Sequence, residues 1–552
     1  MNRVTKNGNM LVVSFDYRPS ILNVVREIDG RIFNAKKKQW EVPEESVVEC
    51  VDALKPLNFI INNDVLATYD AFKRRSEEVA NIKKNESPYA GSLPLYDFQK
   101  TGTAFLRALP AALLADAPGL GKTLQTCAAF EDLEDQVLIF VPASLKFNWR
   151  DEILKWLPND RVIVVHGNKK ERTEQWHHAH KNRAKWIIAN YELLIHDKEI
   201  HDTAAHEWGA IVCDEADRIA NPRAQTTRNV KALRAKRRVA LTGTPVSNTP
   251  EDLWSIADWL YPRYLGTFTQ FQKKYCKLNE WSRVVGYQNL DQLRERIEPI
   301  MLRRLKEDVL TDFPAKTVEH VRFELSKDER ELYDAVRKTI IQEVKKMTTL
   351  DTRSLALIPV KMLRMKQATG HPCLIDAPMN SQSSKLDLLK EMLNPILKSG
   401  EKALIFTQFA TMARIMSVQM MDMRPLVITG EVDALERKRI VDEFQSDPDR
   451  QVLIMTEAGT YGLNLQAATY IFNYDLPWSV GKLEQREGRA HRIGQDKPVT
   501  VYNLIAKNTI DEYVAKTLEA KRKVANQVLG DESEKLTADE IMGILEIDDI
   551  PL

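Results

Sequence analysis

The feature that most constrains the fold of this chain is a loop of small residues between an apolar run and a helical segment. It lies in LLADAPGLGKTLQT, from Leu113 to Thr126. Backbone N–H groups of such a loop, at the N-terminus of a helix, converge on an anion. We therefore predict a phosphate-binding loop in which Lys122 reaches the β- and γ-phosphates of a nucleotide and Thr123 is a ligand of Mg²⁺. The usual loop pattern has glycine at the position of Asp116.

A second run, WGAIVCDEAD from Trp208 to Asp217, is apolar until it ends in carboxylates. This pattern predicts a buried parallel strand that carries active-site residues at its carboxyl end. We expect Asp214 to hold Mg²⁺ and Glu215 to polarise an attacking water.

A third run, RVALTGTPVSN from Arg238 to Asn248, leads from apolar residues into a small, hydroxylic turn. We predict that Thr242 and Thr244 in this turn couple the nucleotide site to the rest of the chain and do not themselves bind a ligand. An ordinary strand-to-loop turn is the alternative interpretation.

The far half of the chain contains QREGRAHRIGQ, from Gln485 to Gln495, with arginines at 486, 489 and 492. On a continuous helix, arginines at this spacing share one face. We predict that Arg489 and Arg492 neutralise charge on a γ-phosphate during phosphoryl transfer. Their distance in sequence from Lys122 indicates a cleft between two lobes.

Taken together, these motifs resemble those of the Swi/Snf family of superfamily-two helicase-like ATPases. Further segments carry the resemblance, which extends from about 92 to 514: PLYDFQKTG (94–102), IFVPASLKFNW (139–149), IIANYE (187–192), MLRRLKEDVLTDFPAKT (301–317), LIFTQF (404–409) and TEAGTYGLNLQ (456–466). The resemblance implies ATP and Mg²⁺ as cofactors. It also implies that Gln99, in the glutamine motif PLYDFQKTG, contacts the adenine of the nucleotide. The other implied roles are nucleotide binding by Gly119, Gly121 and Gly459; coupling by Gln485; and DNA binding by Ser144, Asn190, Arg303 and Arg304.

Two positions depart from the family pattern. The tetrapeptide Asp214–Asp217 reads DEAD where the family more often has DEGH or DEAH, which raises an RNA helicase as an alternative. The LTGTP and RAHRIGQ motifs differ from those of DEAD-box RNA helicases, so this alternative is a minor one. The second departure is Thr460, where the family usually has a glycine.

The first sixty or so residues predict a strand, a helix, a turn and a short strand through Trp40 and Pro43. This arrangement is similar to the HARP domain of annealing helicases related to the HepA protein. The similarity implies that Lys36, Lys37 and Trp40 contact DNA at a junction through phosphate contacts and base stacking. An unrelated capping domain, in which Trp40 is a core aromatic residue, is the alternative.

The composition limits these interpretations. The 79 basic and 78 acidic residues give a net charge of +1, so a nucleic-acid surface must be a local basic patch. The five cysteines form no C-x-x-C pair, which supports neither a zinc module nor a disulfide framework. With no apolar run of membrane-spanning length, we expect a cytoplasmic protein. The small size of the chain favours a bacterium or a bacterial virus, so we expect a nucleoid-associated protein of a bacterial or bacteriophage-infected cell.

The predicted fold class is α/β, with two RecA-like lobes built on parallel sheets, helical insertions and a small α+β N-terminal domain. The predicted domain order is a HARP-like N-terminal domain (1–65), a helical linker (66–91), lobe 1 (92–263), helical protrusions with the inter-lobe connection (264–380), lobe 2 (381–511), and a C-terminal brace helix and tail (512–552).

The predicted function is that of an ATP-dependent translocase on double-stranded DNA that remodels branched DNA by fork regression, strand annealing or branch migration. The expected partners are ATP and double-stranded and branched DNA, with other replication or repair proteins as further candidates; no membrane partner and no histone-reading module are expected. Two alternatives stay open: a remodeller of a protein–DNA complex such as stalled RNA polymerase, and a nucleotide-gated DNA-binding adaptor.

Overall fold

The structure, a computed structural model, describes residues 2–84, 89–197, 206–280, 282, 284–310, 313–345, 352–378, 381–459 and 462–530. The side chains of 344–345, 352–359, 434 and 458 are not described. Thr460 and the tail from 531 onward lie outside the described residues. The described chain divides into two compact units, one formed by 2–117, 121–305 and 524–530 and the other by 118–120 and 306–523.

The first unit begins with a small sheet in the strand order β3-β4-β2-β1-β5. Its strands are β1 (Arg3–Asn7), β2 (Met10–Ser14), β3 (Ile32–Asn34), β4 (Gln39–Pro43) and β5 (Ile60–Ile61). Its helices are Pro19–Glu27, Val47–Leu54 and Asn63–Lys83. The predicted strand, helix and short strand are present at β2, Pro19–Glu27 and β4, whereas the sequence pattern does not predict β1, β3 or β5. Alternate residues such as Val4, Leu11 and Val13 are fully buried and form one core with the helices.

The small sheet is attached to a later part of the same unit by polar contacts. The Asp29 carboxylate lies 3.0 Å from the Lys274 ammonium, and the Arg296 guanidinium donates to the Ser46 hydroxyl at 3.0 Å. The N-terminal region therefore packs on the segment of the first unit that contains Lys274 and Arg296.

The large sheet of the first unit is parallel and has the strand order β14-β6-β11-β10-β7-β9-β8. Its strands are β6 (Ala111–Leu114), β7 (Val137–Val141), β8 (Val162–Val164), β9 (Trp186–Asn190), β10 (Glu207–Asp214), β11 (Arg234–Leu241) and β14 (Met301–Leu302), and a separate hairpin pairs β12 (Cys276–Leu278) with β13 (Val284–Tyr287). The helices are Asp97–Ala108, Lys122–Ala129, Lys146–Trp156, Lys169–Lys181, Leu193–His196, Gln225–Ala232, Pro250–Leu260, Phe268–Tyr275 and Leu290–Ile297.

The strand order brings three predicted motifs to one edge of this sheet. Strand β6 leads into the phosphate loop, β11 leads to Thr242 and β10 ends at Asp214. Because β11 lies between β6 and β10 and all three are parallel, their carboxyl ends are neighbours. Ligands of open parallel sheets bind at such an edge.

The second unit contains a second parallel sheet in the order β15-β20-β19-β16-β18-β17. Its strands are β15 (Lys316–Phe323), β16 (Ala403–Thr407), β17 (Leu426–Ile428), β18 (Val452–Thr456), β19 (Tyr470–Asn473) and β20 (Val499–Ala506). Its helices are Lys306–Val309, Lys327–Lys345, Thr352–Gly370, Ser384–Lys398, Ala410–Gln419, Ala434–Ser446 and Val480–Glu487, and the helix Ile510–Leu529 runs on past the end of this unit.

Both faces of the second sheet are covered by apolar side chains. Ile405 belongs to one buried cluster, whereas its neighbours Leu404 and Phe406 belong to the cluster on the other face. This alternation is typical of parallel sheets with helices on both sides. The segment 264–380, which reads as mostly helical in the sequence, also supplies an edge strand to each large sheet, β14 to the first and β15 to the second.

The fold is thus α/β, with two RecA-like lobes and a small α+β region at the N-terminus. In the part of the chain that the structure describes, no helix combines the length and apolar character needed to cross a membrane.

Candidate functional site

The phosphate loop connects β6 to the helix Lys122–Ala129. Gly119 and Gly121 have φ values of +94° and +75°, which turn successive N–H groups toward one side of the loop. The φ of +75° at Gly121 favours glycine, and a Cβ atom there would lie 2.5 Å from Nε2 of Gln99. The loop therefore has the backbone shape of an anion-binding cradle, with the predicted adenine-contacting glutamine next to it.

Lys122 is the first residue of the helix that follows the loop, and its ammonium group donates to the carbonyl oxygen of Asp116 at 2.7 Å. Burial lowers the pKa of Lys122, and the nearby carboxylates of Glu215, Asp116 and Asp214 oppose that shift. The ammonium group is thus held within the cradle by a neutral carbonyl, which a phosphate oxygen can replace. Thr123 follows on the same helical turn and is half-buried.

Gln99 is held in one orientation near the start of the helix Asp97–Ala108. Its side-chain oxygen accepts a hydrogen bond from the backbone N–H of Tyr96 at 3.1 Å, and the residue is 3% exposed. The amide is therefore fixed in place beside the loop.

The predicted acidic pair lies at the carboxyl end of β10. Trp149 Nε1 donates to Oδ2 of Asp214 at 2.7 Å, and the backbone N–H of Glu215 donates to Oδ1 at 3.0 Å. Burial, followed by the neighbouring Glu215 carboxylate, raises the pKa of Asp214 to about 7. A buried carboxylate next to a second one is stabilised by a divalent cation, and oxygen ligands suit Mg²⁺. The donor set therefore fits the predicted metal.

The predicted coupling residues lie between these two groups at the sheet edge. Thr242 is fully buried, and its hydroxyl accepts from the backbone N–H of Thr244 at 3.1 Å. The Thr244 hydroxyl lies 3.2 Å from that of Ser247. These bonds make the turn after β11 a compact unit, while the coupling role stays a prediction.

Arg303 and Arg304, predicted to bind DNA, form hydrogen bonds within the first unit. Arg303 donates to the carbonyl oxygens of Ala115 at 3.2 Å and Gly243 at 3.0 Å. Arg304 forms a bidentate pair with the fully buried Asp116, at 2.9 and 2.6 Å. The DNA-binding role of these arginines stays a prediction, but their hydrogen bonds go to the phosphate loop and its neighbours.

Two other predicted DNA contacts lie on the same lobe. Ser144 is half-buried in the short helical turn Ala143–Leu145, and Asn190 ends β9 with 7% of its surface exposed. The Asn190 side chain accepts from the Lys146 ammonium at 3.0 Å and donates to Glu192 at 2.7 Å.

The predicted DNA contacts of the small N-terminal sheet lie together between β3 and β4. Lys36 and Lys37 are exposed in the turn that joins these strands. Trp40 is half-buried, and its ring centroid lies 5.2 Å from that of Phe33. Phe33 is 49% exposed, so it is the more accessible of the two rings.

The arginine motif of the second unit differs from its prediction in one respect. The helix begins at Val480 and ends at Glu487, and Gly488 is its C-cap, so Arg489 and Arg492 lie beyond the helix. The expectation that all three arginines share one helical face is therefore wrong. Gly488 has φ and ψ values of −66° and −2°, so the helix does not end in a left-handed glycine cap.

Arg486 is 2% exposed and bonds within the second unit. Its guanidinium donates to Asn473 Oδ1 at 3.0 Å, to the carbonyl oxygen of Asp475 at 2.8 Å and to Glu457 at 3.1 Å. These three bonds connect the helix to the ends of β18 and β19.

The remaining predicted residues of this unit are Arg489, Arg492, Gln485 and Gly459. Arg489 is 8% exposed, and Arg492 is half-buried and donates to the side-chain oxygen of Asn464. Gln485 is half-buried on the preceding helix. Gly459 packs so closely that a Cβ atom would lie 2.9 Å from the carbonyl oxygen of Ile428.

His491, in the middle of this segment, is 2% exposed. Its ring packs 4.4 Å from that of Phe313, and Nε2 lies 2.9 Å from the carbonyl oxygen of Pro314. Burial, and then the nearby Lys306 ammonium, lowers the pKa of His491 to about 4. This histidine fixes the segment between Arg489 and Arg492 in a neutral, buried setting.

The sequence pattern indicates no role for Trp149 and marks Asp116 only as a departure from the usual loop. Trp149 is 65 positions from the carboxylate that it contacts, and Arg304 is 188 positions from Asp116. Only the packing of the sheet reveals such contacts. The one sequence signal that points to such a contact is Asp116, an aspartate at a position where loops of this kind usually have glycine.

Comparisons with known proteins agree with this architecture. A family model described as the SNF2-related domain matches residues 98–374, and one described as the helicase conserved C-terminal domain matches 384–494. The putative ATP-dependent helicase/translocase YwqA of Bacillus subtilis is 31% identical over 80% of this chain and 49% of its own length. The DNA annealing helicase and endonuclease ZRANB3 of Bos taurus is 32% identical over 81% of this chain and 41% of its own length.

The chain thus spans about half the length of the curated relatives it matches, or less. Among solved structures, the Sulfolobus solfataricus SWI2/SNF2 ATPase core in complex with dsDNA is 29% identical, covers 83% of this chain and 98% of its own, and has a TM-score of 0.39. The family model that spans half of the chain, together with the parallel sheets and their motif-bearing edges, shows that the chain belongs to the SNF2-related, or Swi/Snf, family of superfamily-two proteins.

Proposed function

We propose that this protein is an ATP-dependent translocase on double-stranded DNA that remodels branched DNA. The observation that carries the proposal is the arrangement at one edge of the first large sheet. There, the phosphate loop with Lys122, the turn with Thr242 and the acidic pair at Asp214 follow three adjacent parallel strands. This order provides phosphate binding, coupling and water activation side by side.

Each group has a distinct part in ATP hydrolysis. The cradle N–H groups and Lys122 bind the phosphates, and the Gln99 amide, held beside the cradle, orients the adenine. Glu215, whose φ of +49° ends β10 in a tight turn, orients the attacking water. Thr123 and Asp214 would hold Mg²⁺, which neutralises phosphate charge when bound.

Arg489 and Arg492 of the second unit supply the remaining positive charge in this proposal. An arginine that reaches the γ-phosphate stabilises charge developing in the transition state, and such residues contribute about 10³ to 10⁵ in rate. ATP hydrolysis is coupled to movement because the two lobes close on ATP and complete the site, and hydrolysis then lets the lobes open. Repeated closure then moves the DNA grip of one lobe relative to the other.

The preference for branched DNA is supported by the N-terminal region and by a relative. The turn with Lys36 and Lys37 adjoins two aromatic rings, Phe33 and Trp40, which combines phosphate binding with base stacking. The relative ZRANB3 is named a DNA annealing helicase. Both observations favour a DNA substrate in which a duplex adjoins unpaired bases, as at a fork.

The test is steady-state ATP hydrolysis without nucleic acid and with matched amounts of single-stranded DNA, duplex DNA, forked DNA and duplex RNA. We expect DNA to stimulate turnover many-fold and forks to stimulate most. Stimulation by RNA alone, or by nothing, would reject the proposal.

A paired variant tests the fork preference separately. The double change Lys36→Gln and Lys37→Gln is expected to remove the extra stimulation by forks while stimulation by duplex DNA remains. The matched control changes Lys169 and Lys170 to Gln, because these two lysines are also exposed and adjacent in the first unit. If both variants lose the extra stimulation by forked DNA equally, the effect depends on net charge and not on the turn that contains Lys36 and Lys37.

A further inference from the structure

We propose that Arg304 is a positioning residue of the nucleotide site, which holds the phosphate loop and the glutamine motif together through Asp116 and is not a DNA contact. The inference rests on the proposed ATPase function and deepens it. It starts from the aspartate that replaces the usual first glycine of the loop.

Asp116 is fully buried, and a buried carboxylate must be paired. Its two oxygens accept from Arg304 Nε at 2.9 Å and Nη2 at 2.6 Å, and Oδ2 also accepts from Gln125 Nε2 at 3.1 Å. The Arg304 side chain is 11% exposed. A bidentate pair so enclosed uses the fork of the guanidinium, which leaves little of it to meet a DNA phosphate.

The same guanidinium contacts the other nucleotide-binding segments. Nη1 donates to the carbonyl oxygen of Phe98, the residue before Gln99, and Nη2 donates to Gln125 Oε1 at 3.0 Å on the helix that follows the loop. Arg304 thus joins three elements that surround the site: the glutamine motif, the phosphate loop and the helix after it.

The backbone of the same segment also borders the loop. Strand β14 pairs with β6, and beyond it the N–H of Ala115 donates to the carbonyl oxygen of Leu302 at 2.7 Å. The N–H of Ala117 donates to the carbonyl oxygen of Arg304 at 3.0 Å. Since Lys122 is held by the backbone carbonyl of Asp116, the position of Asp116 also sets that of the lysine.

The experiment measures the affinity of purified full-length protein for a fluorescent ATP analogue, the KM and kcat for ATP, and the affinity for duplex DNA without nucleotide. We expect Arg304→Gln to weaken nucleotide affinity and raise KM by about tenfold or more, because an unpaired Asp116 shifts the loop. Duplex affinity without nucleotide is expected to change less than about twofold, because no DNA contact is lost.

Three further variants separate positioning from general damage. Arg304→Lys retains the charge without the bidentate fork and is expected to give an intermediate KM. Asp116→Asn is expected to raise KM as Arg304→Gln does, and the double variant to be less impaired than the sum of the two. The matched control is Lys236→Gln, which breaks the exposed pair with Asp135 in the same unit and is expected to leave KM unchanged.

The outcomes are distinguishable. Wild-type protein that neither binds nor hydrolyses ATP would reject the proposed function itself. Wild-type protein that does both, together with an Arg304→Gln variant that has normal nucleotide affinity and weaker duplex binding, would overturn the inference and make Arg304 a DNA contact. If Arg304→Gln fails to fold, unchanged KM in both Arg304→Lys and Asp116→Asn overturns it equally.

Discussion

Each unit of this protein holds an arginine of a predicted functional motif in internal hydrogen bonds, but the two arginines connect different parts of their units. Arg304 in the first unit bonds to Asp116 and to the segments around the phosphate loop. Arg486 in the second unit bonds to Asn473, Asp475 and Glu457, at and just beyond the ends of β18 and β19. The first set of bonds surrounds the proposed nucleotide site, whereas the second lies within the second lobe.

The difference shows that membership of a motif does not define the role of a charged residue. Arg486, Arg489 and Arg492 are evenly spaced in the sequence, yet Arg486 is 2% exposed and bonds at three points inside its lobe. The bonds of Arg486 to Asn473, Asp475 and Glu457 indicate that it supports its own lobe. Four predictions test what the contacts of the two units contribute.

The largest expected effect concerns the nucleotide site itself. Changing Lys122 to Ala removes the charge that the phosphate loop holds at 2.7 Å from the Asp116 carbonyl oxygen. We expect ATP turnover to fall at least about 100-fold, because the ammonium group no longer neutralises the negative charge of the phosphates. Binding to duplex DNA without nucleotide should persist. Unchanged turnover in a steady-state ATPase assay would remove Lys122 from the site.

The second prediction tests whether Arg486 supports the lobe. Changing Arg486 to Met leaves Glu457 and Asn473 without their buried partner, which should lower the free energy of unfolding by about 3 kcal/mol. Chemical denaturation followed by tryptophan fluorescence and circular dichroism measures this. The matched control is Arg414→Met, whose pair with Glu431 is exposed and should contribute little. Equal stability of the two variants would show that the buried bonds do not stabilise the lobe.

The third prediction concerns acid sensitivity in the second unit. The folded state keeps His491 neutral down to a pKa of about 4, whereas the unfolded histidine takes up a proton below about 6.5. Protonation therefore favours the unfolded chain in this window, and stability falls as pH drops through it. Between pH 7 and pH 5, wild type should lose about 2 kcal/mol more than His491→Gln. If chemical denaturation shows that wild type and His491→Gln lose the same free energy of unfolding between pH 7 and pH 5, His491 is not the cause.

The smallest expected effect concerns the support of the acidic pair. Changing Trp149 to Phe removes the 2.7 Å hydrogen bond to Asp214 and should lower kcat about tenfold while raising the Mg²⁺ concentration for half-maximal rate. The control is Trp156→Phe in the same helix, which removes a similar bond to Glu152 at 3.0 Å. If both variants behave alike, the bond to Asp214 has no special role.

The sequence predicts those parts of the fold that local pattern determines. The apolar runs before the phosphate loop and before Asp214 correspond to β6 and β10, since fully buried parallel strands require continuous apolar residues. The two-residue strands β5 and β14 were missed, because a run of that length has no periodicity.

The contacts that orient the site could not be predicted from the sequence. The pair between Asp116 and Arg304 and the bond from Trp149 join positions that are distant in the chain. The end of the helix at Glu487 is also not evident from the sequence, because the regular spacing of the arginines favours a continuous helix.

In the proposed function, ATP hydrolysis moves this protein along intact duplex DNA. The direct test is displacement of a labelled third strand from a DNA triplex by wild-type protein and by Lys122→Ala, with ATP. We expect wild type to release the third strand without separating the duplex, and Lys122→Ala to release none. Hydrolysis of ATP by wild type with the third strand still bound would contradict translocation.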